Sequence, residues 1–401
     1  MSRPTAARPI TPALVLLFAS MGASSATVPA VIPVIALAGD GALEEYLRAV
    51  PALFFGLLVG VLITSATARV IRPRVACVIG GVLQAAAFLA LAIVAAPAPF
   101  VAIVFMVGLG FGFVEAGGSV LARAVSAAGT ARLLSALTGT VAIVAAGIPL
   151  LVAFTPFGRT PHVVFLLVAA IHVAGVLIVM GAQDPVGSEE DDEADATGAT
   201  ARQRRPAGTV VGVVGAALAL YVGVETVYAG WSSTIPLLAF GVPAQQAAVG
   251  TSIFWVLLAI GRYLATAVLR GPVPPVRYLV VSTCVAAVGL GVTAATIGTW
   301  PSAAVVALCV AVAALGPCYS LILGAALGRL PVANARWATG LLVACGAGGG
   351  AVVPTILLAA ADDPTSPIVF VVTGVLTFAT GIATLLGTRA KRLTLDPVPH
   401  A

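Results

Sequence analysis

Charge is what this chain of 401 residues has least of. Only 9% of its residues are Asp, Glu, Lys or Arg, against about 25% in a soluble domain. Lysine is nearly absent, with Lys391 its sole example. No Gly-x-x-x-x-Gly-Lys-Ser/Thr loop occurs, so direct use of ATP is excluded. The five cysteines, Cys77, Cys284, Cys309, Cys318 and Cys345, show no CxxC spacing and lie inside apolar runs. That pattern argues against a disulfide framework or a zinc site and for small packing residues. No metal-ligand cluster and no nucleophile–base pair is visible, which argues against an enzyme, and no cofactor is implied.

What the chain has is apolar length. It is 60% hydrophobic. A core of that size cannot be hidden from water within one soluble unit of this length. A bilayer is the solvent that fits, because a spanning helix needs about 20 apolar residues to cross a ~30 Å hydrocarbon layer. Such runs predict spans over 13–37, 48–68, 75–96, 100–122, 133–153, 162–181, 209–231, 246–269, 277–298, 302–328, 337–360 and 367–387. The expected fold class is an all-α membrane protein of about twelve transmembrane helices. Arg3 and Arg8 precede the first run, and Ala36-Leu37-Ala38 resembles a signal-peptide cleavage site. The run is longer than the 7–15 residues of a secretory core, so it reads as a retained first span.

The net charge of +5 does not point to nucleic acid, because the basic residues form no stripe. They sit in short gaps. With the N-terminus in the cytoplasm and each span reversing the side, every Lys and Arg except Arg48, Arg159 and Arg262 falls on the cytoplasmic side. Positive residues concentrate on that side of membranes, so both termini are expected there. Asp40, Glu44, Glu45, Asp362 and Asp363 fall outside. The high Ala, Gly and Arg content suggests a GC-rich bacterial genome, and hence a multi-pass protein of a bacterial inner (cell) membrane.

Residues 183–208 break the apolar pattern with Glu189, Glu190, Asp191, Asp192, Glu193 and Asp195, followed by Arg202, Arg204 and Arg205. So polar a stretch buries too little to offset its ordering entropy and reads as a disordered cytoplasmic linker. It divides the chain into a six-helix half over 1–182 and a second over 209–401. Gly60 precedes Arg69 by nine residues, and Gly261 precedes Arg270 by nine. A shift of about 201 residues superposes these pairs, as a transporter built from two repeats requires.

Six spans, a linker and six spans resemble the layout of the major facilitator superfamily of transporters. Its signature after span two, Gly-x-x-x-Asp-Arg/Lys-x-Gly-Arg/Lys, is degenerate here: Ala68 stands at the acid position and the basic cluster Arg69, Arg72 and Arg74 is kept. Gly139 to Pro149 does not match the span-five motif of proton/drug antiporters. A narrower likeness is to the branch containing the fucose/galactose–proton symporters and glucose-type transporters. It rests on Tyr221-Val222-Gly223-Val224-Glu225-Thr226, Ala229-Gly230-Trp231, Ser252-Ile253-Phe254-Trp255, Gly261-Arg262, Glu115-Ala116-Gly117-Gly118-Ser119 and Gly348-Gly349-Gly350 through Pro354. Pro29 stands where those symporters carry a coupling Asp, and Ser119 where they carry an Asn. Both departures weigh against sugar recognition and against proton coupling. The resemblance implies alternating access by a monomer in the bilayer, with a small-molecule substrate and a proton or another ion as partners.

Inside the spans, the charged residues and histidines are Glu115, His172, Glu225 and Arg262. A charge at a helix centre costs about 2.5–3.5 kcal/mol on insertion scales, so each needs a reason. Glu115 in span four reads as a cavity carboxyl for a polar substrate or a proton; the alternative is a protonated Glu hydrogen-bonded between helices. Glu225 in the outer half of span seven reads as a substrate- or proton-binding carboxyl; the alternative is a structural hydrogen bond near the outer interface. Trp231 either stacks on a ligand or belongs to the aromatic belt. Arg262 reads as a gate or structural charge, free to reach a helix end or the interface. His172 reads as a packed neutral histidine. Ser24, Ser25, Gln84, Tyr228 and Tyr319 could face a cavity or serve as helix–helix hydrogen bonds. The glycines at 108, 110, 112, 117 and 118 read as close helix packing.

The competing functions are proton-coupled uptake of a small polar solute, plausibly a sugar, and proton-driven export of a drug or secondary metabolite.

Overall fold

A computed structural model describes residues 10–39, 41–68, 70–94, 96–125, 130–156, 160–182, 201–327, 332–361 and 363–389. Among these, every regular element longer than a turn is helical. A chain this apolar has that outcome imposed on it, because a helix satisfies its own backbone N–H and C=O groups where no water can. Twelve helical segments among the described residues are long and apolar enough to cross a membrane. They are span 1 Ile10–Ala38, span 2 Leu43–Ala66, span 3 Pro73–Leu91, span 4 Pro97–Ala122, span 5 Leu137–Phe154 and span 6 Pro161–Gly181. The others are span 7 Val211–Gly230, span 8 Ala244–Val268, span 9 Pro275–Thr296, span 10 Pro301–Ala326, span 11 Gly340–Ala360 and span 12 Pro367–Gly387. Proline opens spans 3, 4, 6, 9, 10 and 12, where its missing N–H would lack a partner in any case.

The expected spans are all present, with shifted ends. One boundary needs correcting. The helix carrying span 7 runs over Ala201–Gly230, so residues 201–208 of the expected linker are helical. Ala, Arg and Gln are good helix formers and let the helix extend from a span already nucleated by packing. The acidic run at 189–195 lies outside the described residues.

Within the first six spans, span 4 packs against spans 2 and 3, span 1 against spans 5 and 6, and span 3 against span 6. Among the last six, span 7 packs against spans 11 and 12, and span 9 against spans 10 and 12. The two sets meet along spans 2 and 11 and along spans 5 and 8. Spans 2 and 4 cross without room for side chains. A Cβ at Gly56 or Gly60 would overlap the Phe105 or Leu109 carbonyl oxygen, and one at Gly108 or Gly112 would overlap that of Leu53 or Leu57. This is a reciprocal pair of Gly-x-x-x-Gly faces, the small-residue contact that lets membrane helices approach closely. Gly261 of span 8 meets the Ala313 carbonyl of span 10 in the same way. Gly60 and Gly261, related by the 201-residue shift, therefore occupy like positions.

At the ends of spans 1, 5 and 7, opposite the central segment, the two sets are joined by hydrogen bonds. The Ser233 hydroxyl donates to the Pro29 carbonyl. The Gln245 side-chain amide donates to the carbonyls of Val152 (3.1 Å) and Thr155 (2.9 Å). These are terminal carbonyls of the span 5 helix, which lack intrahelical donors. On the linker side, Arg74 Nε donates to the Val179 carbonyl (3.1 Å) and Nη2 to that of Met180, tying the start of span 3 to the end of span 6.

Candidate functional site

Span 10 is broken. Its helix runs Pro301–Leu315 and resumes at Cys318–Leu327. Pro317, with no N–H and a ring that crowds the preceding turn, interrupts it beside Gly316. The last carbonyls of the first segment thereby lose backbone donors, and two side chains from other spans replace them. The Tyr221 hydroxyl of span 7 donates to the Leu315 carbonyl at 3.1 Å. Arg262 Nε of span 8 donates to the Gly316 carbonyl at 3.1 Å.

Glu225 lies one helical turn beyond Tyr221 and joins both donors. Its Oε1 is 3.8 Å from Arg262 Nη2, with side-chain exposures of 19% and 37% respectively. Tyr221 and Glu225, four residues apart, share one face of span 7. Glu225, Arg262 and Tyr221 thus form a clamp on the break in span 10. Arg262 touches a helix end, as the sequence suggested; Tyr221, Gly316 and Pro317 had not been singled out for this role.

Glu115 has a different environment. It is half-buried and has no hydrogen bond or ion pair among the described residues. The interhelical hydrogen bond offered as its alternative reading is not seen among the described residues. Phe111, one turn earlier on the same face, packs toward Leu57 and Val61 of span 2 and Ala347 of span 11, so this face of span 4 looks inward between the two sets of spans. Tyr319, just past the break in span 10, lies within electrostatic range of Glu115, Glu225 and Arg262. Its ring is 6.4 Å from that of Tyr221. Glu115, Tyr319, Glu225 and Arg262 therefore share one region between spans 4, 7, 8 and 10.

The other candidates are elsewhere. Ser24 is fully buried, with its hydroxyl 3.0 Å from Gln84 Oε1 and 2.7 Å from His172 Nε2. Phe88 stacks on the His172 ring at 5.8 Å. This polar knot fastens spans 1, 3 and 6. Ser25, half-buried, donates to its own helix at the Gly22 carbonyl (3.0 Å). The Tyr228 hydroxyl meets Thr373 Oγ1 at 2.5 Å, and its ring stacks on Phe370. Trp231 is 1% exposed and packed in the core, its Nε1–H buried without a hydrogen-bond partner among the described residues. No group of three or more His, Cys, Asp or Glu side chains able to hold a metal ion occurs among the described residues.

The arrangement is shared with solved structures. A D-xylose–proton symporter superposes with a TM-score of 0.79 over 96% of this chain and 99% of its own, at 13% identity. This is the major facilitator fold. A peptide transporter of the POT type superposes at 0.75 with 15% identity, covering 98% of this chain and 97% of that one. A bacterial homologue of the human lysosomal transporter Spinster superposes at 0.71 with 14% identity and 98% coverage of each chain. No family model matches the sequence, and no curated protein does either. At such identities the likeness establishes the fold, and the site stands on its own geometry.

Proposed function

We propose that the protein is a secondary transporter that moves a small organic solute across a membrane by alternating access, with protons as the coupling ion. Residues 1–182 and 209–401 are the two halves that rock about the shared region. The observation that carries this reading is Glu115: a carboxyl past the middle of span 4, on a face turned inward between the two sets of spans, with no hydrogen bond or ion pair among the described residues. A lone carboxylate at that depth is costly unless it holds a proton or a ligand. A site whose charge changes with occupancy can bias a two-state equilibrium, which is what coupling requires. The Glu225–Arg262 pair is neutral as a unit and holds the break in span 10, where the helix can bend. Support for the fold's usual activity comes from the xylose, peptide and Spinster-type neighbours, all transporters by description.

Proton-linked uptake of a sugar is the reading that the xylose symporter and the fucose/galactose-type motifs favour. Proton-driven export is the second reading, and one observation favours it. Ser24 and Tyr228, hydroxyls that a sugar site could use, are spent on partners inside the helix packing. Reconstitution into vesicles with an imposed pH gradient tests the proposal. Solute movement that follows the gradient and is lost in Glu115→Gln supports it; movement indifferent to both refutes it.

A further inference from the structure

We infer that one diacyl phospholipid sits astride the first segment of span 10, Pro301–Leu315, with an acyl chain in a groove on each side of that helix. The inference rests on the fold and is independent of the transport reading above.

Span 10 packs against span 9 on one flank and span 8 on the other. Val306 and Val310, both exposed, form a ridge between the flanks. On the span 9 side a groove of about 420 Å³ runs between Val285, Val288 and Val292 of span 9 and Ala307 and Val310 of span 10. On the span 8 side a second groove, of about 110 Å³, runs between Ile253 and Leu257 of span 8 and Val305, Leu308 and Val312 of span 10. Tyr228 and Ser232 reach this second groove, but their hydroxyls are already bonded to Thr373 and Thr251. Neither groove offers a polar group in want of a partner, so both stay dry.

Both grooves open onto the bilayer-facing surface, where Val285, Val288, Val292, Ile253 and Val305 are exposed. They are continuous with the contact that the spans already make with lipid. Their depth fits a single leaflet. From Pro301 to Val312 the helix rises about 16 Å, and half of the hydrocarbon layer is about 15 Å deep. The leaflet is the one at the end of the bundle opposite the central segment. Trp300 and Ser302, exposed at that end, stand where headgroups begin, a level that tryptophan favours. Residues 297–312 include no charged side chain, so the chains rather than the headgroup charge decide binding.

Lipid tails are as apolar as these walls, so leaving the bilayer for a groove gains nothing from the hydrophobic effect. The gain is dispersion contact along walls that would otherwise be poorly filled. The narrower groove, at about 110 Å³, is smaller than the roughly 150 Å³ cavity that admits benzene. That favours a slender alkyl chain over a ring. A lipid whose chains part around the Val306–Val310 ridge fills both grooves at once; a single-chain lipid fills one. Val312, at the deep end, lies one turn before Gly316 and the break. The bound lipid therefore holds the first segment of span 10 against spans 8 and 9, while the segment Cys318–Leu327 lies beyond its reach.

The test uses purified full-length protein, stripped of lipid in detergent and then given dioleoyl phosphatidylglycerol or its single-chain lyso form. Lipid retained after gel filtration is counted by native mass spectrometry. The expected result is close to one diacyl lipid per protein, retained at least tenfold better than the lyso lipid. Val285→Phe and Val305→Phe each fill one groove from a lipid-facing position and should cut retention at least fivefold. Val375→Phe, a lipid-facing change on span 12 outside both grooves, should leave retention unchanged and guards against a folding artefact. Equal retention of the lyso lipid, no retained lipid, or wild-type retention in either groove variant overturns the inference. So does a loss in Val375→Phe as large as theirs.

Discussion

Cutting both sides of the clamp on span 10 should cost less than the sum of the two single cuts. Arg262→Ala removes the hydrogen bond to the Gly316 carbonyl; bonds made by charged donors contribute about 1.5–3 kcal/mol. It also strips Glu225 of its counter-ion. Orphaning a fully buried charge costs about 3–5 kcal/mol, and a pair exposed to the extent of 19% and 37% retains only part of that. The single substitution should therefore destabilise by about 3 kcal/mol. Glu225→Gln keeps the shape of the side chain and leaves Arg262 bonded to Gly316, so about 1 kcal/mol is expected from a half-exposed pair. The double variant has no orphaned charge and should recover about 1–2 kcal/mol relative to the sum of the singles, the signature of a direct coupling. Unfolding of all four proteins in mixed micelles, followed by circular dichroism, measures the cycle. Additivity within about 0.5 kcal/mol would show that the two residues act independently and that no clamp exists. Arg262→Lys should rescue only in part, since a lysine restores the charge without the guanidinium fork.

Other outcomes follow from the same packing. Gly108→Leu puts a side chain onto the Leu53 carbonyl and should destabilise by about 1–3 kcal/mol through forced separation of spans 2 and 4, visible as a lower melting temperature in detergent. Gln245→Ala frees the Val152 and Thr155 carbonyls and loosens the closed end; a cysteine replacing Ser25 should then react faster with a membrane-impermeant maleimide added from the side opposite the linker. His172→Phe leaves the Ser24 hydroxyl short of a partner, and the loss should be about 1–3 kcal/mol, read by the same thermal assay.

Much of this architecture is legible in the sequence because lipid leaves few choices. Any sufficiently long apolar run must be a helix, and Gly60 and Gly261 already marked the two equivalent crossings. The facing of side chains is not legible in the same way. A membrane helix is apolar on every side, so the periodicity that marks the buried face of a soluble helix is weak. Ser24, Tyr228 and Trp231 looked as eligible for a site as Tyr319 did, and only the packing separates them. Tyr221 entered only as the first residue of a family-like motif, with no role of its own. Pro317 gave no warning of a break, since prolines at 29, 33, 149 and 354 lie inside helices that continue through them. The roles of Tyr221 and Arg262 appear only when span 10 is seen to end where their donors arrive.

The account turns on Glu115 as the residue where proton and solute meet. The most direct measurement is internal pH in vesicles containing the purified protein, followed with a trapped pH dye while the solute gradient is imposed. Wild type should show solute-dependent proton movement that Glu115→Gln abolishes and Glu115→Asp preserves. Solute transport that continues in Glu115→Gln with its proton signal intact would contradict the account.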